Sequence, residues 1–167
     1  MAKPGWLSEC IASIADAIDQ SPFPVELHIV NGTKGHIGKG RAEGYAQGCH
    51  PYVTFVDDDD FLLPGAFAQM AEAIKFNPEA VCSPEWLLYG HKRILGRSRH
   101  HLTALRRDQL IDHRQWPSCG DVAQAARIGN NAIELPEAMY VHRIYPESPA
   151  RVLRRSYPQE LERASYG

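Results

Sequence analysis

Four consecutive carboxylates, Asp57-Asp58-Asp59-Asp60, follow directly on Pro51-Tyr52-Val53-Thr54-Phe55-Val56. That preceding run is rich in β-branched and aromatic residues and too continuous for a half-exposed strand, so it is read as a central strand covered on both faces. Ligand sites in open α/β sheets lie beyond the carboxyl ends of such strands. Carboxylates crowded together there repel one another unless a cation lies between them. A hard divalent ion, Mg²⁺ or Mn²⁺, takes one or two carboxylates and completes its shell with phosphate oxygens. The chemistry suggested is therefore a metal–diphosphate site. Aspartates that merely cap the helix from Ala66, or are solvated, are the bland alternative, and four acids directly behind a buried strand weigh against it. An EF-hand is excluded, because the alternating D-x-D-x-D-G spacing and the later Glu are absent.

The elements that must position these acids follow from periodicity. Leu7, Cys10, Ile11, Ile14, Ala15 and Ile18 recur at three- and four-residue intervals and predict an amphipathic helix over 6–18, stopped by Ser21-Pro22-Phe23-Pro24. Val25 to Val30 reads as a strand cut off by Asn31-Gly32, and Gly35, Gly38 and Gly40 as a loop nearly free of side chains. A short helix is expected over 41–47 and another over 66–76, with Phe67, Met70, Ala71 and Ile74 inward. Further strands are expected at 81–89, 132–135 and 139–144, and a helix at 121–128, while 94–105 carries no clear pattern. Strand and helix alternate, the order of an α/β layered fold.

Composition sets the outer bounds. The chain has 167 residues, 44% hydrophobic and 23% charged, with a formal net charge of −2, which suits one globular domain and excludes a globally basic nucleic-acid binder. Cys10, Cys49, Cys82 and Cys119 stand too far apart for a chelating or redox pair and are read as reduced, buried thiols. No apolar run approaches a membrane span and no signal peptide is visible at the start, so a cytoplasmic protein is expected. The domain is expected over 1–150, with 151–167 as a peripheral polar tail.

The acidic run and its flanks resemble the family 2 glycosyltransferases, inverting nucleotide-sugar enzymes with a GT-A fold. Tyr52 to Gly65 is similar to that family's strand, D-x-D motif and L-x-P-G turn. Trp6 to Ile14 is similar to its W-L-x-E-C-L-x-S-I helix, and Gly38 to Gly48 to its glycine- and alanine-rich segment. Downstream, Leu105-Arg106-Arg107-Asp108, Gly120-Asp121 and Leu135 to Arg143 resemble its R-R-D, E-D and V-P-E-x-L-Y-x-x-R stretches. The match covers most of residues 4–150. It implies a single GT-A-like, Rossmann-related α/β domain with a central mixed sheet flanked by helices.

The same resemblance implies roles. Asp57 and Asp59 would be the D-x-D carboxylates on Mn²⁺ or Mg²⁺, with Asp59 the more direct ligand, Asp60 in reserve and His142 near the metal. Asp57 and Asp58, Arg41 and Asn31 would contact the donor, a UDP-sugar in first place, with Arg41 on the diphosphate and Asn31 on the base. Asp121 would be the general base, taking the acceptor hydroxyl's proton as that oxygen attacks the anomeric carbon. Two departures are visible. Asn31-Gly32-Thr33 stands where the family carries an acid for the uracil and ribose, and the chain opens at Met1-Ala2-Lys3-Pro4-Gly5-Trp6 where a first strand should already have ended. That strand is expected to come from an upstream start or a second chain, making a homo-oligomer one option, or to leave a shorter sheet.

Residues 86–107 hold no acid and carry Lys92, Arg93, Arg97, Arg99, Arg106 and Arg107 with His91, His100 and His101. Arg97, Arg99, His100 and His101 are the expected acceptor contacts, and such a stretch suits an anionic acceptor, DNA carrying a hydroxymethylated base included. A solvated basic loop is the competing reading. Two rival functions remain at this level: a nucleotidyltransferase, for which Gly38-Lys39-Gly40 is a faint phosphate loop, and a non-catalytic remnant that binds a nucleotide or a partner.

Overall fold

The computed structural model describes residues 5–96, 101–116 and 120–144. Helix α1 (Trp6–Asp19) buries Cys10, Ile14 and Ala17, one residue per turn on a single face, and ends just before the Pro22-Phe23-Pro24 segment. Helix α3 (Ala66–Ile74) turns Phe67, Met70, Ala71 and Ala73 inward. The residue before it, Gly65, has φ 80°, a left-handed conformation that glycine adopts without cost.

The mixed α/β arrangement is as expected, and among the described residues its eight strands are divided between two four-stranded sheets. The first has the order β1 (Tyr52–Val53), β6 (Thr103–Arg106), β3 (Ala80–Cys82), β7 (Ala132–Glu134). The second has the order β2 (Phe61–Leu62), β8 (Tyr140–Ile144), β4 (Glu85–Tyr89), β5 (Lys92–Gly96). Both are mixed: β3 runs parallel to β7 and antiparallel to β6, and β4 runs parallel to β8 and antiparallel to β5. The strand expected over 81–89 is thus two strands in two sheets. The break falls at Ser83-Pro84, where proline has no N–H for a ladder and the Ser83 hydroxyl accepts from Met139 N at 2.8 Å. The four aspartates occupy the other crossing, between β1 of the first sheet and β2 of the second. Buried Leu62, Phe67, Met70, Val81, Leu102 and Tyr140 fill the space where α1, α3 and the sheets meet.

Three expectations fail for one reason, the lack of a partner for the segment 25–30. It forms no strand; Leu27 and Ile29 are exposed, and only Val25 packs on the core. A strand needs a hydrogen-bonded neighbour for its backbone donors and acceptors, and among the described residues no strand pairs with this segment. In consequence β1 is an edge strand and not central, and only Tyr52 and Val53 of the apolar run join a ladder.

Helix α2 (Ile37–Tyr45) starts earlier than expected and takes Gly38 and Gly40 into its body. A Cβ on Gly38 would lie 2.1 Å from the His113 carbonyl oxygen and 2.2 Å from that of Trp116, so a glycine is required where this helix meets the 113–115 turn. Cys10 and Cys82 are buried thiols as expected, but Cys49 is exposed, at the loop after α2, and Cys119 lies outside the described residues. No helix among the described residues is long and apolar enough to cross a membrane. The tail over 151–167 lies outside the described residues.

Candidate active site

The four aspartates diverge. Asp57 turns to Arg41, whose Nη2 lies 3.3 Å from Oδ1 and 3.4 Å from Oδ2. Asp58 faces solvent, Asp59 is half-buried and Asp60 is fully buried. A tight turn, closed by Asp60 N donating to Asp57 O at 3.1 Å, produces this fan.

Asp60, the reserve ligand of the sequence reading, is an anchor. Its Oδ2 accepts from the Tyr140 hydroxyl at 2.6 Å and faces His142 Nδ1 at 3.0 Å, and its Oδ1 accepts from Arg143 N at 2.8 Å. Three contacts from β8 consume the carboxylate, and they fix the acidic turn against the second sheet. Arg143 completes the attachment: its Nη1 donates to Asp59 O at 2.7 Å, its Nη2 pairs with Glu9 of α1, and its guanidinium lies 4.6 Å from the Phe61 ring centroid. Burial pushes the Asp59 carboxyl upward, and the neighbouring charges of Asp60, Asp57 and Asp58 push it the same way. A cation beside Asp59 relieves that repulsion.

His142 stands over Asp60 with Nδ1 committed to its carboxylate, which orients the imidazole. Burial alone would lower this imidazole, but the Asp60 bond and charge push it up to about 9. His101, expected to meet the acceptor, is instead buried. It pairs with the buried Glu85 of β4 and stacks on His142 at 4.5 Å and on Tyr140 at 5.3 Å. A carboxylate sealed in the sheet needs a partner, and His101 supplies it. Arg97, Arg99 and His100 lie outside the described residues. Asn31 is exposed, and its carbonyl oxygen would lie 3.8 Å from a Cβ on Gly40, so it sits beside α2, near the turn that carries Arg41.

Asp121 comes from the opposite side, in the first turn of α4 (Gly120–Ile128). A Cβ on Gly120 would lie 2.8 Å from His113 Nδ1 and 3.2 Å from Trp116 Cβ, so the helix start rests directly on the 113–116 turn. Arg41 Nη1 lies 3.3 Å from Asp121 Oδ2, and one guanidinium therefore joins the strand-end carboxylate Asp57 to the helix-start carboxylate Asp121. Burial alone would lower Arg41, but the two carboxylates hold it above its usual range. Among the described residues no three His, Cys, Asp or Glu side chains converge into a ready-made metal cage. An ion held here would take one or two of the carboxylates and complete its shell with diphosphate oxygens.

The sequence matches the glycosyl transferase family 2 profile over residues 11–134. The chain belongs to glycosyl transferase family 2. Among solved structures the fold is similar to S. aureus TarS, with a TM-score of 0.64 and 16% identity over 95% of this chain and 38% of that one. TarS 1–349 gives 0.63 and 15% over 83% and 56%. TarS 1–349 in complex with UDP gives 0.59 and 16% over 89% and 60%. This chain thus spans between 38% and 60% of the TarS chains it matches. No curated protein matches it.

Within this family 2 domain, three structural supports escape sequence reasoning: the Asp60 anchor, the Glu85–His101 pair and His113. The signal for the first was available, since Tyr140 and His142 share one face of a strand by alternation. His113 is 1% exposed and wedged between α2 and α4, and neither ring nitrogen has a hydrogen-bond partner. Burial, and then the charge of Arg41, lower its pKa from the ordinary value. The unfolded chain takes up this proton below about pH 6.5 and the folded chain resists it, so the linkage removes stability as pH falls, by up to about 1.4 kcal/mol per pH unit. Urea midpoints of the parent should accordingly fall between pH 7 and pH 5, and those of His113→Leu should fall less. An equal pH response in the two proteins would show that His113 is protonated in the fold.

Proposed function

We propose that this domain transfers a sugar from a nucleotide-sugar donor, a UDP-sugar in first place, to an acceptor hydroxyl with inversion. The observation that carries the reading is the convergence of Asp57 and Asp121 on Arg41 from a strand end and a helix start. Family membership and the UDP and UDP-GlcNAc complexes of TarS support the donor class. Asp121 serves as general base: it accepts the acceptor hydroxyl's proton while that oxygen forms a bond to the anomeric carbon and the carbon–diphosphate bond breaks on the opposite face. Asp57 and Asp59, with His142 as a further candidate, would hold Mn²⁺ or Mg²⁺, and the ion would offset the charge developing on the departing diphosphate. The chain's own part is to hold the acids apart: Arg41 on Asp57, solvent on Asp58, β8 on Asp60.

The acceptor is proposed to be anionic. Lys92 and Arg93 on the edge strand β5, in the acid-free stretch, support this, and β5 lies two strands from the His142 strand. Titration calorimetry with UDP tests the donor side. Binding should require Mn²⁺ or Mg²⁺, and Asp59→Asn, which removes a charge at nearly constant size, should weaken it by about tenfold or more. Equal affinity in EDTA and in Mn²⁺ would remove the cation from the mechanism, and absence of UDP binding under every condition would remove the donor class.

A further inference from the structure

Arg41 is held on three sides. Asp57 and Asp121 each lie 3.3 Å from one of its terminal nitrogens, and the Phe55 ring lies 3.8 Å beneath the guanidinium carbon. The side chain is only 10% exposed, and those of the two carboxylates are 34% and 13% exposed. Nε is buried with no hydrogen-bond partner, so the group is oriented by its two forked ends and by the ring. A planar fork can satisfy two carboxylates on opposite sides at once, which a single ammonium cannot do in fixed geometry. The contacts join three parts of the fold: Arg41 on α2, Asp57 and Phe55 in the segment after β1, and Asp121 on α4.

We infer that Arg41 is the positioning residue for Asp121, holding the base in register with the donor carboxylate Asp57, and that it yields Asp57 to the donor's cation when the donor binds. The inference rests on the proposed function, in which Asp57 faces the cation and Asp121 takes the proton. Its physical basis is competition. Asp57 carries one negative charge, and the guanidinium and a divalent ion both draw on it. As the ion takes Asp57, Arg41 keeps Asp121 as its remaining partner, and loading of the donor is thereby linked to orientation of the base. The expectation from sequence, a bidentate clamp on the diphosphate, makes the opposite prediction, since loss of a clamp weakens donor binding and loss of a bridge does not.

Arg41→Gln and Arg41→Lys separate the two in the full chain. With Mn²⁺ alone as the probe, titration calorimetry should show Arg41→Gln binding the ion about fivefold more tightly than the parent, because a competing cation has been removed from Asp57. In transfer assays kcat should fall by about 10² with donor KM nearly unchanged, as misplacement of a catalytic group predicts. Arg41→Lys should recover thermal stability but not kcat, because a point charge does not bridge. Unchanged or weaker Mn²⁺ binding, a tenfold loss of UDP affinity with kcat retained, or recovery of kcat by lysine would each overturn the inference. A parent that transfers no sugar would sink the proposed function alone. The bridge is then decided by Mn²⁺ titration together with an Arg41/Asp121 double-mutant cycle in urea: tighter Mn²⁺ and a non-zero coupling support it, and unchanged Mn²⁺ affinity with no coupling overturns it.

Discussion

Asp121→Asn is expected to fold normally, to bind UDP as the parent does, and to transfer sugar about 10² times more slowly or worse. Asp121 occupies the first turn of α4, where an acid also interacts favourably with the helix dipole, and that is the bland account of its presence. The substitution separates the two accounts. As a helix-start residue asparagine is close to aspartate, so a structural role leaves activity and stability nearly intact. As a base it fails, because an amide cannot accept the acceptor's proton. Its neighbour Arg41 adds a second discriminant, since Asp121 is 3.3 Å from Nη1 and the uncharged variant should loosen that contact without touching Asp57. Transfer rates measured beside UDP affinity and melting temperature decide it, and a variant within a few-fold of the parent makes Asp121 a structural residue.

The parts of this molecule that were legible in sequence are those governed by short-range pattern. Helix α1 was readable because Cys10, Ile14 and Ala17 follow one face, and α3 because Phe67, Met70 and Ala71 do the same. The acidic turn lies beyond a strand as expected, because strand-forming composition is local, although that strand stops at Val53 and sits at the sheet edge. What was not legible depends on partners distant in sequence. Val25 to Val30 has strand-forming residues, but pairing decides whether they make a strand, and none is provided among the described residues. The division of 81–89 between two sheets turns on Ser83, whose hydroxyl is taken by Met139 more than fifty positions away. His101 read as a member of a basic stretch because its local neighbours are basic. Its true neighbour is Glu85, at the start of β4 in the second sheet, and composition carries no trace of that pairing. The same holds for Arg41, whose two carboxylates lie 16 positions away in one case and at the far end of the domain in the other.

The largest stability effect is expected at Asp60, not at the exposed acids beside it. Its carboxylate is fully buried and receives the Tyr140 hydroxyl, His142 Nδ1 and Arg143 N. Asp60→Ala leaves all three groups without their acceptor inside the protein, and breaking a buried charged network of this kind costs about 3–5 kcal/mol. For a domain of this length that corresponds to a melting temperature lower by about 10 °C or more. Asp58→Ala, at an exposed position, should change stability by less than about 0.5 kcal/mol. The pH dependence supplies a second signature. His142 is held up to about 9 by Asp60, so the pair's contribution is complete below the ordinary histidine value of about 6.5 and is lost as pH rises through 9. The gap between the parent and Asp60→Ala in urea should accordingly be wider at pH 6 than at pH 10. Had Asp60 been a donor-side ligand, its loss would instead spare stability and abolish the Mn²⁺ dependence of UDP binding. Unfolding midpoints at the two pH values, set beside calorimetry of UDP with Mn²⁺, distinguish an anchor from a ligand, and an unshifted midpoint at pH 6 would refute the anchor.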